Sequence, residues 1–236
     1  MSRTLAAALL VSHAVTPVLA GEIPGAVIVL ETAPGTPGSD PSGAPARFVL
    51  LEDGQVFVSG TSLVEAGRLG KRESEALRKR AAALRKIPGI GSGISLGGPA
   101  DRTLRLRLLE DEPLEIIATG LPPEAGQHIR GGGPAVAPAS LAPITTLLRD
   151  LARFHHTSLR PYAPSSYAMT VREARLVGGC RAWSFSFPIA EALAGPRSVP
   201  AAEAEGWPTG AMPASVCADD RRYAVTLRPL LPAERP

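Results

Sequence analysis

The sequence predicts an α+β protein in which antiparallel β-hairpins pack with two amphipathic helices, followed by a smaller, mostly-β region that a disulfide pins. Three observations support this fold class. Several short runs alternate between apolar and polar residues, as half-buried strands do. Two longer segments carry apolar residues at helical spacing. Gly and Pro, with 24 residues each, divide the chain into short elements.

The clearest hairpin signal is Asp53-Gly54, which lies between two β-rich runs within residues 47–59. An Asp-Gly pair flanked by such runs is typical of a tight hairpin turn. A second antiparallel pair is predicted for residues 103–108 and 114–119, with an Asp-Glu-Pro turn between them.

Two helices are predicted, over about residues 70–86 and about 140–155. Pro88-Gly89 ends the first helix, and Ser140 is the predicted cap of the second. The second helix has an apolar stripe at i, i+3, i+4 and i+7 spacing that must be buried against a sheet: Ile144, Leu147, Leu148, Leu151 and Phe154.

The region after residue 157 is predicted to be mostly β. Residues 167–171, 183–187 and 222–227 alternate with the period of a half-buried strand, and a short helical turn is predicted at 189–193. The predicted organisation is a signal peptide at 1–20, a short strand and Pro/Gly-rich linker at 21–45, an α+β domain at 46–156 and a mostly-β C-terminal region at 157–236.

The first twenty residues have the three parts of a secretory signal. Arg3 gives the positive start, residues 5–11 are apolar, and Val18-Leu19-Ala20 offers a cleavage site. The apolar run is too short to span a bilayer, and no later stretch is long enough, so no transmembrane segment is expected. Glu22 stands where a lipoprotein would have Cys, which disfavours lipid anchoring. We expect a periplasmic or extracellular protein; the alternative is a buried N-terminal helix.

Cys180 and Cys217 are the two cysteines of the chain. In an exported protein such a pair predicts a disulfide, with a stabilisation on the order of 3–4 kcal/mol from loop closure. A redox-active dithiol would favour a close Cys-x-x-Cys pair instead.

The net charge of +3 is small for 236 residues and gives no reason to expect nucleic-acid binding. Lys71, Arg78 and Arg85 recur every seven residues on the first helix and form a possible partner surface for anionic headgroups or an acidic protein. The alternative is an ordinary solvated face. Trp207, in a Pro/Gly-rich loop, is a second possible partner contact, or else it folds back over the sheet edge or the disulfide.

Residues 93–97 match the Gly-x-Ser-x-Gly pattern of a serine hydrolase, with Ser95 as nucleophile. Asp150 and either His155 or His156 follow in the expected order. The strand–turn–helix context of a nucleophile elbow is missing, which favours a flexible loop.

No metal site or cofactor is expected. Adjacent helical positions point about 100° apart, so His155 and His156 do not form a chelating pair. The glycines at 89–93 lack the Lys and the following helix that a phosphate-binding loop requires.

The leading hypothesis is therefore a non-catalytic exported protein that binds an envelope component or another exported protein. The alternatives are a small serine hydrolase that uses Ser95, and an exported inhibitor or structural partner. The segment 48–84, with Phe-Val-Leu-Leu-x-Asp-Gly-x-Val-x-Val-x-Gly followed by a Leu-spaced helix, resembles uncharacterised exported bacterial domains of unknown function. This resemblance covers about a sixth of the chain and implies export without assigning an activity or site residues.

Overall fold

A computed structural model of the chain describes residues 23–34, 46–58, 63–91, 93–96, 102–120, 139–174, 179–210 and 213–236. These ranges contain thirteen β-strands and three α-helices. The strands form an eight-stranded and a five-stranded sheet, which confirms the α+β class. The predicted signal peptide at 1–20 and residues 35–45 of the predicted linker lie outside the described residues.

The first sheet takes its strands from the N-terminal two thirds of the chain. They are β1 (Ala26–Pro34), β2 (Ala46–Leu51), β3 (Gln55–Val58), β4 (Glu65–Arg68), β5 (Ile94–Ser95), β6 (Arg102–Leu108), β7 (Leu114–Thr119) and β8 (Arg160–Pro161). Their order across the sheet is β5-β7-β6-β1-β2-β3-β4-β8, and only the β5–β7 pair is parallel. The first sheet therefore includes β1, which lies between β6 and β2, and extends to Pro161.

The two predicted helices cover one face of this sheet. They are α1 (Lys71–Ala83), which continues as a short 3-10 turn, and α2 (Ala142–Ala152). Their apolar stripes pack on alternate strand residues to form the main core. The cap of α2 is Leu141 and not Ser140, because Ser140 lies within a preceding 3-10 turn at Ala139–Leu141. The core includes Leu77, Leu84, Ile144, Leu148 and Leu151 from the helices, and Ile28, Leu30, Phe48, Leu50 and Leu106 from the strands.

The Asp53-Gly54 hairpin is confirmed between β2 and β3. Gly54 has φ +83°, a left-handed conformation that glycine adopts without steric cost. Its N–H donates to the carbonyl of Leu51 at 3.0 Å. Asp53 Oδ1 accepts the Gln55 N–H at 2.9 Å, and this backbone hydrogen bond is the main reason why the pKa of Asp53 is lowered.

The second sheet has the order β10-β12-β13-β9-β11. Its strands are β9 (Ser166–Glu173), β10 (Arg181–Ala182), β11 (Arg197–Pro200), β12 (Ala214–Ala218) and β13 (Arg221–Pro229), and a short helix, α3 (Ile189–Leu193), packs beside β9. The predicted strands at 167–171 and 222–227 are confirmed.

The predicted strand at 183–187 is wrong, because this segment bends and pairs with no strand. The Trp183 indole N–H donates to the carbonyl of Phe187 at 2.6 Å and folds the segment back on itself. Pro188, which lacks a backbone N–H, follows directly. The period of two arises because every second residue is an aromatic side chain that joins one cluster.

The segment after β13 returns to the first sheet. Leu231 is buried with Val29, Val49 and Phe57 on the face opposite the helices. The Tyr162 hydroxyl donates to the carbonyl of Leu230 at 3.4 Å. Both faces of the first sheet are therefore partly covered, one by helices and the other by this returning segment.

Candidate functional site

Ser95 and His156 are not brought together. Ser95 is exposed in β5, the edge strand of the first sheet. His156 contacts Ser158, whose Oγ accepts the N–H of Arg68 at 3.1 Å. Arg68 belongs to β4, which is six strand positions from β5. Ser95 and its proposed base, His156, therefore lie near opposite edges of the first sheet.

The other predicted catalytic and metal-binding residues have different surroundings. The Asp150 carboxylate pairs with Arg80 of α1, and His155 is exposed. Among the described residues, no group of three or more His, Cys, Asp or Glu side chains could hold a metal ion.

Two of the three predicted surface cations are engaged within the molecule. Arg78 Nε donates to Glu110 Oε2 at 2.9 Å, and this pairing raises the pKa of Arg78. The Arg85 guanidinium donates to the carbonyls of Glu110 and Glu112. Both arginines thus hold the turn between β6 and β7, whereas Lys71 is 88 % exposed and has only a loose contact, at 3.9 Å, with Glu75 on its own helix.

Trp207 is 6 % exposed and does not present its ring to a partner as an open anchor. The Arg181 guanidinium instead lies 4.0 Å above the ring centroid and covers it. On its other side the ring packs on Phe185, with centroids 4.4 Å apart. The ring thus belongs to the apolar core of the second sheet.

Four aromatic residues that pack against the second sheet form what we call the aromatic cluster: Trp183, Phe185, Phe187 and Trp207. Phe185 is at its centre, with Trp183 and Phe187 at centroid distances of 5.0 and 5.9 Å. An arginine closes each end: Arg181 lies over Trp207, and Arg197 lies over Phe187 at 4.6 Å. Guanidinium groups stacked on aromatic faces are held by cation–π attraction and by packing.

The predicted disulfide is confirmed and fastens this cluster to the sheet. Cys180 and Cys217 are bonded with a Cα–Cα distance of 5.6 Å. Cys180 directly precedes β10, a two-residue edge strand that pairs with β12 next to Cys217. The far end of the aromatic segment is held by Ser186, whose Oγ donates to the Glu203 carboxylate at 3.0 Å.

The outer surface of the aromatic cluster combines apolar and charged side chains, and Arg197 also pairs with Glu191 on α3. Arg181 and Ser184 are exposed, Trp183 and Phe187 are half-buried, and Leu193 on the adjacent α3 is 43 % exposed. Sequence reasoning did not identify this surface as a site. The available signal was local density: aromatics are 4 % of the chain, yet three of them fall within residues 183–187.

A second feature is a group of charges on the face of the first sheet opposite the helices, the ionic cluster of Glu31, Arg105, Arg107 and Glu115. Glu31 and Arg105 are buried, and the Glu115 side chain is 40 % exposed. Glu31 on β1 pairs with Arg107 at 3.0 Å and lies 3.9 Å from Arg105. Arg105 also contacts Glu115 at 2.7 Å. The Glu31 side chain is 3 % exposed, and this burial outweighs the two arginines and raises its pKa to about 6.

The Glu31 pKa predicts a specific pH dependence of stability. Because the folded protein binds this proton more tightly than the unfolded chain, Glu31 stabilises the fold at low pH. We expect this contribution, about 2 kcal/mol, to be complete below pH 4.5 and lost as the pH rises through 6. Urea titrations between pH 4.5 and 7.5 would measure it. Glu31→Gln should remove this part of the profile, and an unchanged profile in the variant would contradict the assignment.

Neither a membrane-spanning helix nor similarity to a known protein points to the function of these clusters. Within the described ranges, no helix is long and apolar enough to cross a membrane. Comparisons with protein-family models, with curated proteins and with solved structures found no match, and the resemblance of residues 48–84 to exported bacterial domains stays a prediction.

Proposed function

We propose that this is an exported protein that binds another exported protein or envelope component through the surface of the aromatic cluster. Two observations support export. Residues 1–20 have the pattern of a signal peptide, and Cys180 and Cys217 form a disulfide of the kind that persists in oxidising compartments.

The stacked arrangement of arginines and aromatic rings is the observation that carries the binding role. Tryptophan and arginine dominate the binding energy of protein interfaces. Here Arg181 and Arg197 are already stacked on Trp207 and Phe187, and the disulfide fixes the start of the segment. A surface ordered before binding loses less conformational entropy when a partner docks. The surface binds the partner and catalyses no reaction.

Affinity capture with a matched pair of variants tests the proposal. The immobilised, oxidised protein would be incubated with envelope and culture-supernatant fractions, and bound proteins would be identified by mass spectrometry. Leu193→Arg places a charge on α3, the helix that follows the aromatic segment directly in the chain, whereas Leu63→Arg makes the same change at a residue that is 76 % exposed and lies just before β4 of the first sheet.

We expect a partner that is retained by the wild type and by Leu63→Arg and lost with Leu193→Arg. Arg181→Glu should weaken binding of that partner by about 30-fold, the effect of a residue worth roughly 2 kcal/mol. If the wild type, Leu63→Arg and Leu193→Arg retain the same proteins equally, or if none of the three retains a partner, the binding role of this surface is contradicted.

A further inference from the structure

His156 lies in the loop between α2 and β8, and each of its two ring nitrogens contacts another side chain. Nδ1 lies 2.7 Å from Ser158 Oγ and accepts the backbone N–H of Ser158 at 3.2 Å. Nε2 lies 3.4 Å from Glu73 Oε1. Since a backbone amide can only donate, Nδ1 carries no proton in the neutral ring. The ring proton is then on Nε2, facing the carboxylate, and the Ser158 hydroxyl donates to Nδ1.

Glu73 is held in place independently of the histidine. It lies in the first turn of α1, where its Oε2 accepts the N–H of Gly70 at 2.8 Å. This hydrogen bond, followed by the contact with His156, lowers the pKa of Glu73. An ionised carboxylate beside Nε2–H fixes the tautomer in which the unprotonated Nδ1 faces the Ser158 hydroxyl.

Ser158 Oγ lies directly against the backbone of β4. It accepts the N–H of Arg68 at 3.1 Å. A Cβ built on Gly67 would come within 2.5 Å of Oγ, so a glycine is required at this position. A backbone N–H that donates to the oxygen stabilises negative charge there as the hydroxyl proton leaves.

We propose that Ser158 is a nucleophile toward carboxylic esters, with His156 as its base and Glu73 as a positioning residue. This goes beyond the binding role, because it uses the first sheet and not the aromatic cluster. The chain from nucleophile to base to orienting acid follows the logic of a serine-hydrolase triad, with Nδ1 rather than Nε2 facing the serine.

The reaction balances with water as the only co-reactant. The Oγ proton passes to Nδ1 while Oγ bonds to the ester carbonyl carbon. The carbon–oxygen bond to the leaving alcohol then breaks, and His156 returns the proton to that alcohol. Water repeats the sequence on the acyl-Ser158 ester, releasing the carboxylic acid and restoring the hydroxyl.

Covalent labelling of the oxidised protein with a fluorophosphonate tests the nucleophile directly. In this reaction Oγ bonds to phosphorus, and fluoride leaves together with the serine proton. Peptide mass spectrometry is expected to locate one adduct, on Ser158. Ser158→Ala should abolish labelling, His156→Gln should slow it by about 100-fold, and Ser95→Ala, altered at the distant edge strand, should label at the wild-type rate.

Glu73→Gln separates a positioning role from a structural one. A glutamine amide carries no charge and can either donate to Nε2 or accept from it, so it no longer fixes the Nε2–H tautomer. We expect slower labelling with only a small decrease in Tm, together with ¹⁵N imidazole shifts that report a smaller share of the Nε2–H form. The proposal is overturned if the wild type forms no adduct, if the adduct is on another serine, or if His156→Gln labels at the wild-type rate.

Discussion

Replacing Glu31 by leucine is expected to lower the free energy of unfolding by about 3–5 kcal/mol, the usual cost of breaking a buried ion pair. The substitution removes the carboxylate that Arg107 contacts at 3.0 Å and leaves Arg105 only Glu115. A protonated Glu31 still offers Arg107 an oxygen that accepts its hydrogen bond, whereas leucine offers none, and an arginine in a protein cannot lose its proton. The variant therefore retains buried positive charge. Urea unfolding followed by circular dichroism would measure the loss.

Two comparisons make this result specific to the ionic cluster. Asp150→Ala breaks the half-exposed pair with Arg80 and should cost no more than about 1 kcal/mol. The double variant Glu31→Leu/Arg107→Leu removes both charges and should recover more than half of the loss, because apolar replacements of a buried pair are often neutral or stabilising. A double variant no more stable than Glu31→Leu would refute this account.

Removing the disulfide by Cys180→Ser/Cys217→Ser is expected to cost about 4 kcal/mol, the loop-closure contribution for a sequence separation of 37 residues. Two residue pairs of β10 and β12 then remain to hold the edge strand, which is too little to keep it in place. The aromatic segment should detach and expose Trp183 and Trp207. Both a lower urea midpoint and red-shifted tryptophan emission should follow.

The wild type treated with a reductant provides the control for this prediction. It should acquire the emission spectrum and the midpoint of the serine variant, because both lack the same covalent bond. Since both tryptophans of the chain lie in the aromatic cluster, the emission reports on the second sheet alone. An unchanged midpoint in the serine variant would show that the bond does not hold this region together.

Local patterns predicted the elements of the fold well, but not their long-range pairing. Alternation in residues 103–108 correctly predicts a strand with Leu104, Leu106 and Leu108 facing the core. It does not predict the burial of Arg105 on the opposite face, because the pairing that places it opposite Glu31 joins residues far apart in the chain. The central position of β1 in the sheet could not be predicted for the same reason, because its neighbour β6 lies far along the chain.

The candidate sites depend on contacts that leave no motif in the sequence. His156 was identified, but the Gly-x-Ser-x-Gly pattern suggested Ser95 as its partner. The serine that contacts it, Ser158, lies two residues away, and Glu73 comes from α1, far away in the sequence. Residues 183–187 do alternate, but they form no strand: the Trp183 indole donates to the carbonyl of Phe187 and bends the segment.

The packing of Leu231 on the first sheet affects the order in which the polypeptide folds. Val29 and Val49 can pair within β1 and β2 early, yet the side chain that covers them follows all thirteen strands in chain order. Contacts so remote in sequence form late, because their loop-closure entropy must be overcome first. Until then one side of the nascent sheet presents apolar residues to solvent, and a general chaperone acting during this interval would protect the protein from self-association.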